Sequence, residues 1–544
     1  MNFIMKYISN TLSKVILALL SILLVPACSD YLEEEPSTNF SAAFVYNTPE
    51  GLELGLVSLY NINRSFYENF EWNNSIPLIL EAKTDIVLAR TGEISLYGQL
   101  TWGNTLSDFG STRFAHFWRT YYRLADRANA IIKAAENIQG IDESQRNRIL
   151  AEAKTFRALS FFTLYRLFNN IFVTTEPTTP ENALNIINAT SSESEIFALI
   201  NNDLTFAIQH LEWTTPEFGR LTQGTARHMK AQVAMWQQDY VEAKAQAEAV
   251  INSGYHELLP STADVFKGDL NHEETLFAIQ YVPLIAGGGA GNRFNFILMP
   301  QYGATPGAQY SQDQGNRGAG FLMPNQYLRA LLAEDPNDDR AKNRYYQSTF
   351  YYNNLETLPP GKNLGDVIDA YSEFSTDASE RTNFFARLNP GCKKFSQEDA
   401  IPTEATHSKN IMVYRLAETY LIAAEATWRI SQNDTDTDAL TYLNAVRTRA
   451  NAAPAAVINQ QAILDEDARE LAFENVRWYT LKRMGVMVEQ IQQHAGNVYE
   501  DSEGNLVSFQ HLARTRIQPH HINLPIPQSE IDLLGPNYPQ NEGY

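Results

Sequence analysis

Trp102, with Asn104 two residues on, and Tyr281, Phe294, Tyr302 and Tyr310 further along are the side chains whose types could do chemistry together. Flat aromatic rings cover the apolar C–H faces of sugars, and amides or carboxylates satisfy the hydroxyls around them. Both sets fall in irregular stretches. Residues 64–113 carry Pro77, Gly92, Gly98 and Gly103 among aromatic and polar residues. Residues 281–325 are dense in glycine, yet they keep rings that a flexible linker does not need. A third irregular insertion covers 353–405. Long ordered loops on a scaffold are where binding residues concentrate. Trp72, beside Asn73 and Asn74, is a further candidate of the same kind, whereas Trp118, Trp236, Trp428 and Trp478 sit in helical patterns and are expected between helices.

Other motifs point to anchoring or to nothing catalytic. Lys6 and Lys14 precede an apolar run from Val15 to Ala27, and Val25-Pro26-Ala27 leads into Cys28. This is a secretory signal, residues 1–27, ending before a cysteine that becomes lipidated. As a helix the apolar run would rise only ~20 Å, too little for a hydrocarbon core of ~30 Å. Cys392 is then the one remaining cysteine, so the mature chain has no internal disulfide, and a lone cysteine reads as a small buried hydrophobe. Asp434, Asp436 and Asp438 alternate like a calcium loop but lack its glycine and closing glutamate, which reads as a polar turn capping a helix near Asp438. His520-His521 has no partner spaced for a metal, and Gly287–Gly291 lacks the ending of a phosphate loop. No cofactor is expected. Paired carboxylates of a glycosidase remain compatible with so many acidic residues.

Charge narrows the partners. The chain has 42 basic against 63 acidic side chains; removal of Lys6 and Lys14 with the signal leaves a net charge of −23. Such a surface repels nucleic-acid backbones and favours a neutral ligand.

The elements that must position these residues read as helical hairpins. In 224–254, Ala231 and Ala234 lie on one helix and Tyr240, Ala243, Ala247 and Val250 on the next, with a turn at Gln238-Asp239. Small residues at these offsets let antiparallel helices approach closely, as in a tetratricopeptide repeat. Further pairs cover 117–168 and 411–450, and a single helix is expected from Asp465 to about Glu489. The tail HINLPIPQSEIDLLGPNYPQNEGY is too apolar for a disordered end. Leu524–Pro527 should be extended, a turn should follow at Gln528 and Ser529, and Ile531 and Leu533 should both anchor in the core. The fold expected is mostly α, a tetratricopeptide-like helical hairpin scaffold with long irregular loop insertions and few short strands. Its parts are an N-terminal region at 28–220, the helical pair at 221–280 and a loop-rich region at 281–544, all in one unit.

Several segments in this order resemble one family. LPIPQSEI followed by QNEGY is similar to the C-terminal signature of the SusD/RagB family of nutrient-binding outer-membrane lipoproteins. CSDYLEEEP and TPEGLELGLVSLYN resemble its mature start. WRTYYRLADRAN, AEAKTFRALSFFTLYRLFNNI, RLAETYLIAAEA, YLNAVRTRA and ARELAFENVRWYTLKRMG resemble its helices, although VTTEP stands where the family has a Gly-x-Pro exit. The resemblance implies a lipoprotein anchored through Cys28 in the outer membrane and facing the cell exterior. It implies capture of a glycan or oligosaccharide for a SusC-like TonB-dependent transporter, on an aromatic arc built from residues of the two irregular regions and facing away from the membrane. The same fold could instead take peptides, and a surface glycoside hydrolase is a third reading.

Overall fold

Capping chemistry sets the helix starts. Thr48 accepts a hydrogen bond from the Gly51 amide and Pro49 takes the first position of α1, Pro49–Tyr67. The next helix, α2, runs Phe109–Asn137. Asp142 accepts from the Ser144 and Gln145 amides ahead of α3, Glu143–Phe168. Ser192 and Glu195 form a capping box for α4, Glu193–His210, and Thr222 and Thr225 form one for α5, Gln223–Trp236. Asp239 caps α6, Tyr240–Ile251, and Asn325 caps α7, Gln326–Ala333. After α8, Leu416–Ser431, Asp436 caps α9, Thr437–Arg449, and Asn459 caps α10, Gln460–Leu471. Each cap satisfies amides that a helix start would otherwise leave unpaired.

The computed structural model describes residues 46–68, 70–71, 74–75, 77–90, 109–283, 288–342, 344–369, 386–500, 506–509 and 513–544. Within them α1 packs on α2, α2 along α3 and α3 along α4. The α5–α6 hairpin turns at Gln238, whose φ is 61°. Helix α8 lies between α6 and α9. Ala231, Ala234, Ala243, Ala247, Ala423 and Ala426 are all buried where α5, α6 and α8 meet, so the small-residue spacing does bring these backbones close. The chain is mostly helical, and the strands among the described residues form short two-stranded antiparallel ladders. In one, β1, Thr275–Ile279, pairs with β2, Ile411–Arg415, with Thr275 opposite Arg415. No helix among the described residues is long and apolar enough to cross a membrane.

Buried polar brackets fix the helices relative to one another. Arg157 on α3 donates to both carboxylate oxygens of Asp203 on α4 at 2.8 Å and to Asn129 on α2 at 2.9 Å. Asn129 in turn donates to the Thr174 carbonyl, pinning the VTTEP exit. A larger network centres on Glu470 of α10. Its carboxylate accepts from Arg415 at 2.7 Å, Arg449 at 2.5 Å and Arg340 at 3.0 Å, and all four side chains are at least nine-tenths buried. Glu274 accepts from Arg415 and Arg449, and Glu466 from Arg340 and Arg447.

This network explains the helix that was expected as one and is observed as three. After α10 the chain breaks, then resumes as α11, Arg477–Arg483, and α12, Met487–His494. Lys394 donates to the carbonyls of Glu470 and Ala472, and Arg415 also takes the Glu470 carbonyl. Carbonyls so occupied are unavailable to the next helical turn, and Phe473 and Asn475 adopt φ of 68° and 63°. Gly485, at φ 73°, makes the second break.

The C-terminal tail is docked. The Leu524 amide donates to the Leu167 carbonyl, and Asn541 donates to the carbonyls of Phe168 and Leu524. One part of the expectation is corrected. Residues Gln528–Leu534 form a helix, α13, rather than a turn and an alternating strand. Positions two apart on a helix face different ways, so Ile531 is buried while Leu533 is 77% exposed.

Burial alone would raise the Glu470 carboxyl, but Arg449, Arg415 and Arg340 outweigh it and hold it well below the usual carboxylate range. Its stabilising contribution is therefore present above the unfolded-state pKa and lost as pH falls toward the depressed folded value. Glu470→Gln removes the one carboxylate that three buried guanidinium groups share, leaving each with its remaining carboxylate partners only, and should lower stability by about 3–5 kcal/mol at pH 7 in urea titrations. The gap between variant and wild type should narrow as the titrations are repeated at lower pH; an equal gap at every pH would contradict this reading.

Candidate functional site

The irregular stretch after β1 is shaped by rings turned inward. Tyr302 is fully buried; its ring stacks on Phe350 at 4.9 Å and meets Tyr310 edge-on at 5.2 Å. Its hydroxyl accepts from the Ser311 amide at 2.7 Å and donates to the Ser311 carbonyl at 3.1 Å, closing the loop on itself. Phe294 is fully buried against Phe395 and Tyr67. Tyr281 is 6% exposed, and its amide donates to Asn410. Expected as a ligand platform, these rings are instead buried: Tyr302 in a local cluster with Met299, Phe350 and Tyr352, and Tyr281 and Phe294 in the main core of the protein. The glycine density has a matching cause. A side chain on Gly318 would come within 1.9 Å of the Met299 carbonyl oxygen, so the loop can fold back only without one.

Tyr310 differs. It is half-buried, and its ring lies against the backbone at Gly303, where a Cβ would stand 2.9 Å from the ring. Arg317 and Arg387 lie within electrostatic reach of its hydroxyl. Beside it, the Gln309 amide donates to the Asn353 side-chain carbonyl at 2.8 Å, and the Asn353 side chain donates back to the Gln309 carbonyl at 3.1 Å. Gln314 brackets Tyr351 in the same way, accepting from its amide and donating to its carbonyl. Tyr351 is 37% exposed. Two loops, 299–318 and 350–369, are thus stitched by side-chain amides, and Tyr310, Tyr351, Gln309 and Asn353 on the stitched segments all stay at least partly exposed. Tyr351, Gln309, Asn353 and Arg387 were not singled out from sequence. The run Phe350-Tyr351-Tyr352-Asn353-Asn354 carries the same ring-and-amide signal but lies at the edge of the 353–405 insertion, where no single ring stands out in the sequence. Trp102, Asn104 and Trp72 lie outside the described residues, as do Cys28 and the signal segment.

The remaining chemical motifs have structural work. Cys392 is fully buried, and burial pushes its thiol up to about 12, so it stays protonated. Asp436 caps α9, and Asp434 accepts from the Trp428 indole. Burial first, then the neighbouring His520 and Lys83, lowers His521 to about 4, and its ring accepts from the Gln518 amide. No cluster of three or more potential metal ligands occurs among the described residues.

Known proteins share this sequence pattern and this helical fold. The profile of the SusD family matches residues 273–544, and that of a family described as starch-binding and associating with the outer membrane matches 30–240. The chain belongs to the SusD family. Among curated SusD-family relatives, SusD-like protein P25 of Formosa agariphila is 24% identical over 537 residues, covering 93% of this chain and 94% of that one. Among solved SusD folds, a SusD homolog from Bacteroides thetaiotaomicron superposes with a TM-score of 0.73 at 19% identity, covering 94% and 100% of the two chains. A laminarin binding SusD-like protein superposes with a TM-score of 0.67 at 22% identity, covering 92% and 100%.

The two rings of this loop should separate on truncation. Tyr302→Ala empties a fully packed site and should cost about 3 kcal/mol or more. Tyr310→Ala, at a half-exposed position, should cost about 1 kcal/mol or less. Chemical denaturation of both variants checks this; equal losses would place Tyr310 in the loop core as well.

Proposed function

We propose that this SusD-family chain is a non-enzymatic lipoprotein of the outer membrane that binds a glycan or oligosaccharide at the cell exterior and delivers it to a SusC-like TonB-dependent transporter. The observation that carries the reading is the loop face, where half-exposed Tyr310 and Tyr351 stand beside stitched amides on a rigid helical body. A family described as starch-binding, and a laminarin-binding structural neighbour, support that ligand class. Trp102 and Asn104 complete the site from the first irregular region, while Tyr281, Phe294 and Tyr302 support it from behind. The lipid on Cys28 holds the protein to the membrane: several acyl chains, each contributing ~0.8 kcal/mol per buried methylene, suffice without a spanning helix.

Two experiments test this. A sugar ring on an aromatic face buries some tens of Å² of C–H surface at roughly 25 cal/mol per Å², about 1 kcal/mol, or several-fold to tenfold in affinity. Calorimetry with a cognate oligosaccharide, found by screening a polysaccharide panel, should show such a loss for Trp102→Ala and for Tyr310→Ala with little change in melting temperature. Unchanged affinity in both would discard the platform, and new reducing ends during the screen would indicate a hydrolase. Cys28→Ala should release a folded protein from membranes of cells lacking the transporter; retention there at high salt would contradict lipid anchoring.

A further inference from the structure

An interior cavity of about 130 Å³ lies where α3, α8, β2 and α11 converge. Arg166 on α3 lines it and is 7% exposed. Its guanidinium is 4.1 Å from the Phe162 ring centroid and 3.9 Å from that of Tyr479. Both rings are at cation–π distance from it. Its Nε has no hydrogen-bond partner, and no carboxylate among the described residues pairs with it. Every other charged side chain on the cavity wall is matched. Glu425 pairs with Arg483 at 2.6 Å, Glu474 with Arg415 at 2.6 Å and Asp467 with Arg477 at 3.1 Å. Glu418 lies in the field of Arg166, but its two oxygens are taken by His228 at 3.1 Å and Gln232 at 2.6 Å.

Four phenols complete the wall. Tyr67, Tyr121, Tyr414 and Tyr479 all line the cavity, and all lie within electrostatic reach of Arg166. None has a hydrogen-bond partner among the described residues. Burial raises the pKa of each, so each stays protonated and able to donate. An unpaired buried guanidinium with convergent O–H donors is the electrostatic mould of an anion. One water needs roughly 10–15 Å³ of such space, so the cavity also has room for an ion with residual waters.

We propose that this cavity binds a small anion, a halide or a compact oxyanion such as a carboxylate or sulfate, on Arg166, with the phenols of Tyr67, Tyr121, Tyr414 and Tyr479 donating to it. The bound ion joins α3 to β2 and α11 and makes the stability of the scaffold depend on its anion supply. This inference is independent of the glycan reading.

The test uses the full mature chain exchanged into sodium gluconate, whose anion is bulky. Chloride, acetate or sulfate then replaces gluconate at constant ionic strength while the melting temperature is read. Binding to the native state alone should give a saturable rise, on the order of 2–5 °C, for at least one of the three anions, and the effective anion identifies the source. Arg166→Met should abolish the saturable rise. The milder pair Tyr121→Phe and Tyr414→Phe, which keeps the rings, should move its midpoint about five- to tenfold higher in anion concentration, and it decides the matter if Arg166→Met does not fold. A linear, non-saturating response shared by wild type and the Phe pair, or no response, would overturn the proposal and leave a cavity that holds water alone.

Discussion

The carboxylate of Glu470 holds together parts of the chain that are distant in sequence. Arg340 comes from the segment after α7, Arg415 from the junction of β2 and α8, and Arg449 from the end of α9. Three charges brought out of water are stable there because each is paired and hydrogen-bonded, and removing the shared carboxylate would leave an excess of buried positive charge. The same cluster reaches the loops. Lys394, two residues after Cys392, donates to the carbonyls of Glu470 and Ala472 and to the Glu474 carboxylate. The insertion that packs against the ring-bearing loops is therefore tied directly to the helical body.

Under the proposed function, that tie has a meaning. Binding a flexible polysaccharide already costs ordering of the ligand, and a face that also had to order itself would lose affinity. Here the ordering is done during folding. Tyr302 closes its loop on Ser311, Asn353 stitches it to the neighbouring loop, and Gln314 brackets Tyr351. The face that presents Tyr310 thus rests on inward-facing rings, which rest in turn on a scaffold fixed by buried ions.

Much of the scaffold could be read in advance. The alanine spacing of α5 and α6 specified a close helical pair, and capping residues such as Asp436 marked helix starts. The failures have physical causes. The expected helix from Asp465 is interrupted because Lys394 and Arg415, remote in sequence, take its carbonyls. Leu533 points outward because a local helix, not a strand, forms after Pro527. The site was harder. Rings in a glycine-rich loop signal an ordered loop, but sequence does not tell whether a ring faces the loop's own core or the solvent. Tyr302 and Tyr310 are eight residues apart and differ in burial because one finds Phe350 and the Ser311 backbone while the other lies over Gly303 at the margin of the same cluster.

The most direct test of this account is hydrogen exchange of the full mature chain with and without a bound oligosaccharide. Ligand should slow exchange within 64–113, 299–318 and 350–369 and leave α2 through α6 unchanged, because the face is already built and the scaffold does not reorganise. Protection centred on the α5–α6 hairpin instead, with none in the ring-bearing loops, would contradict the assignment of the binding face.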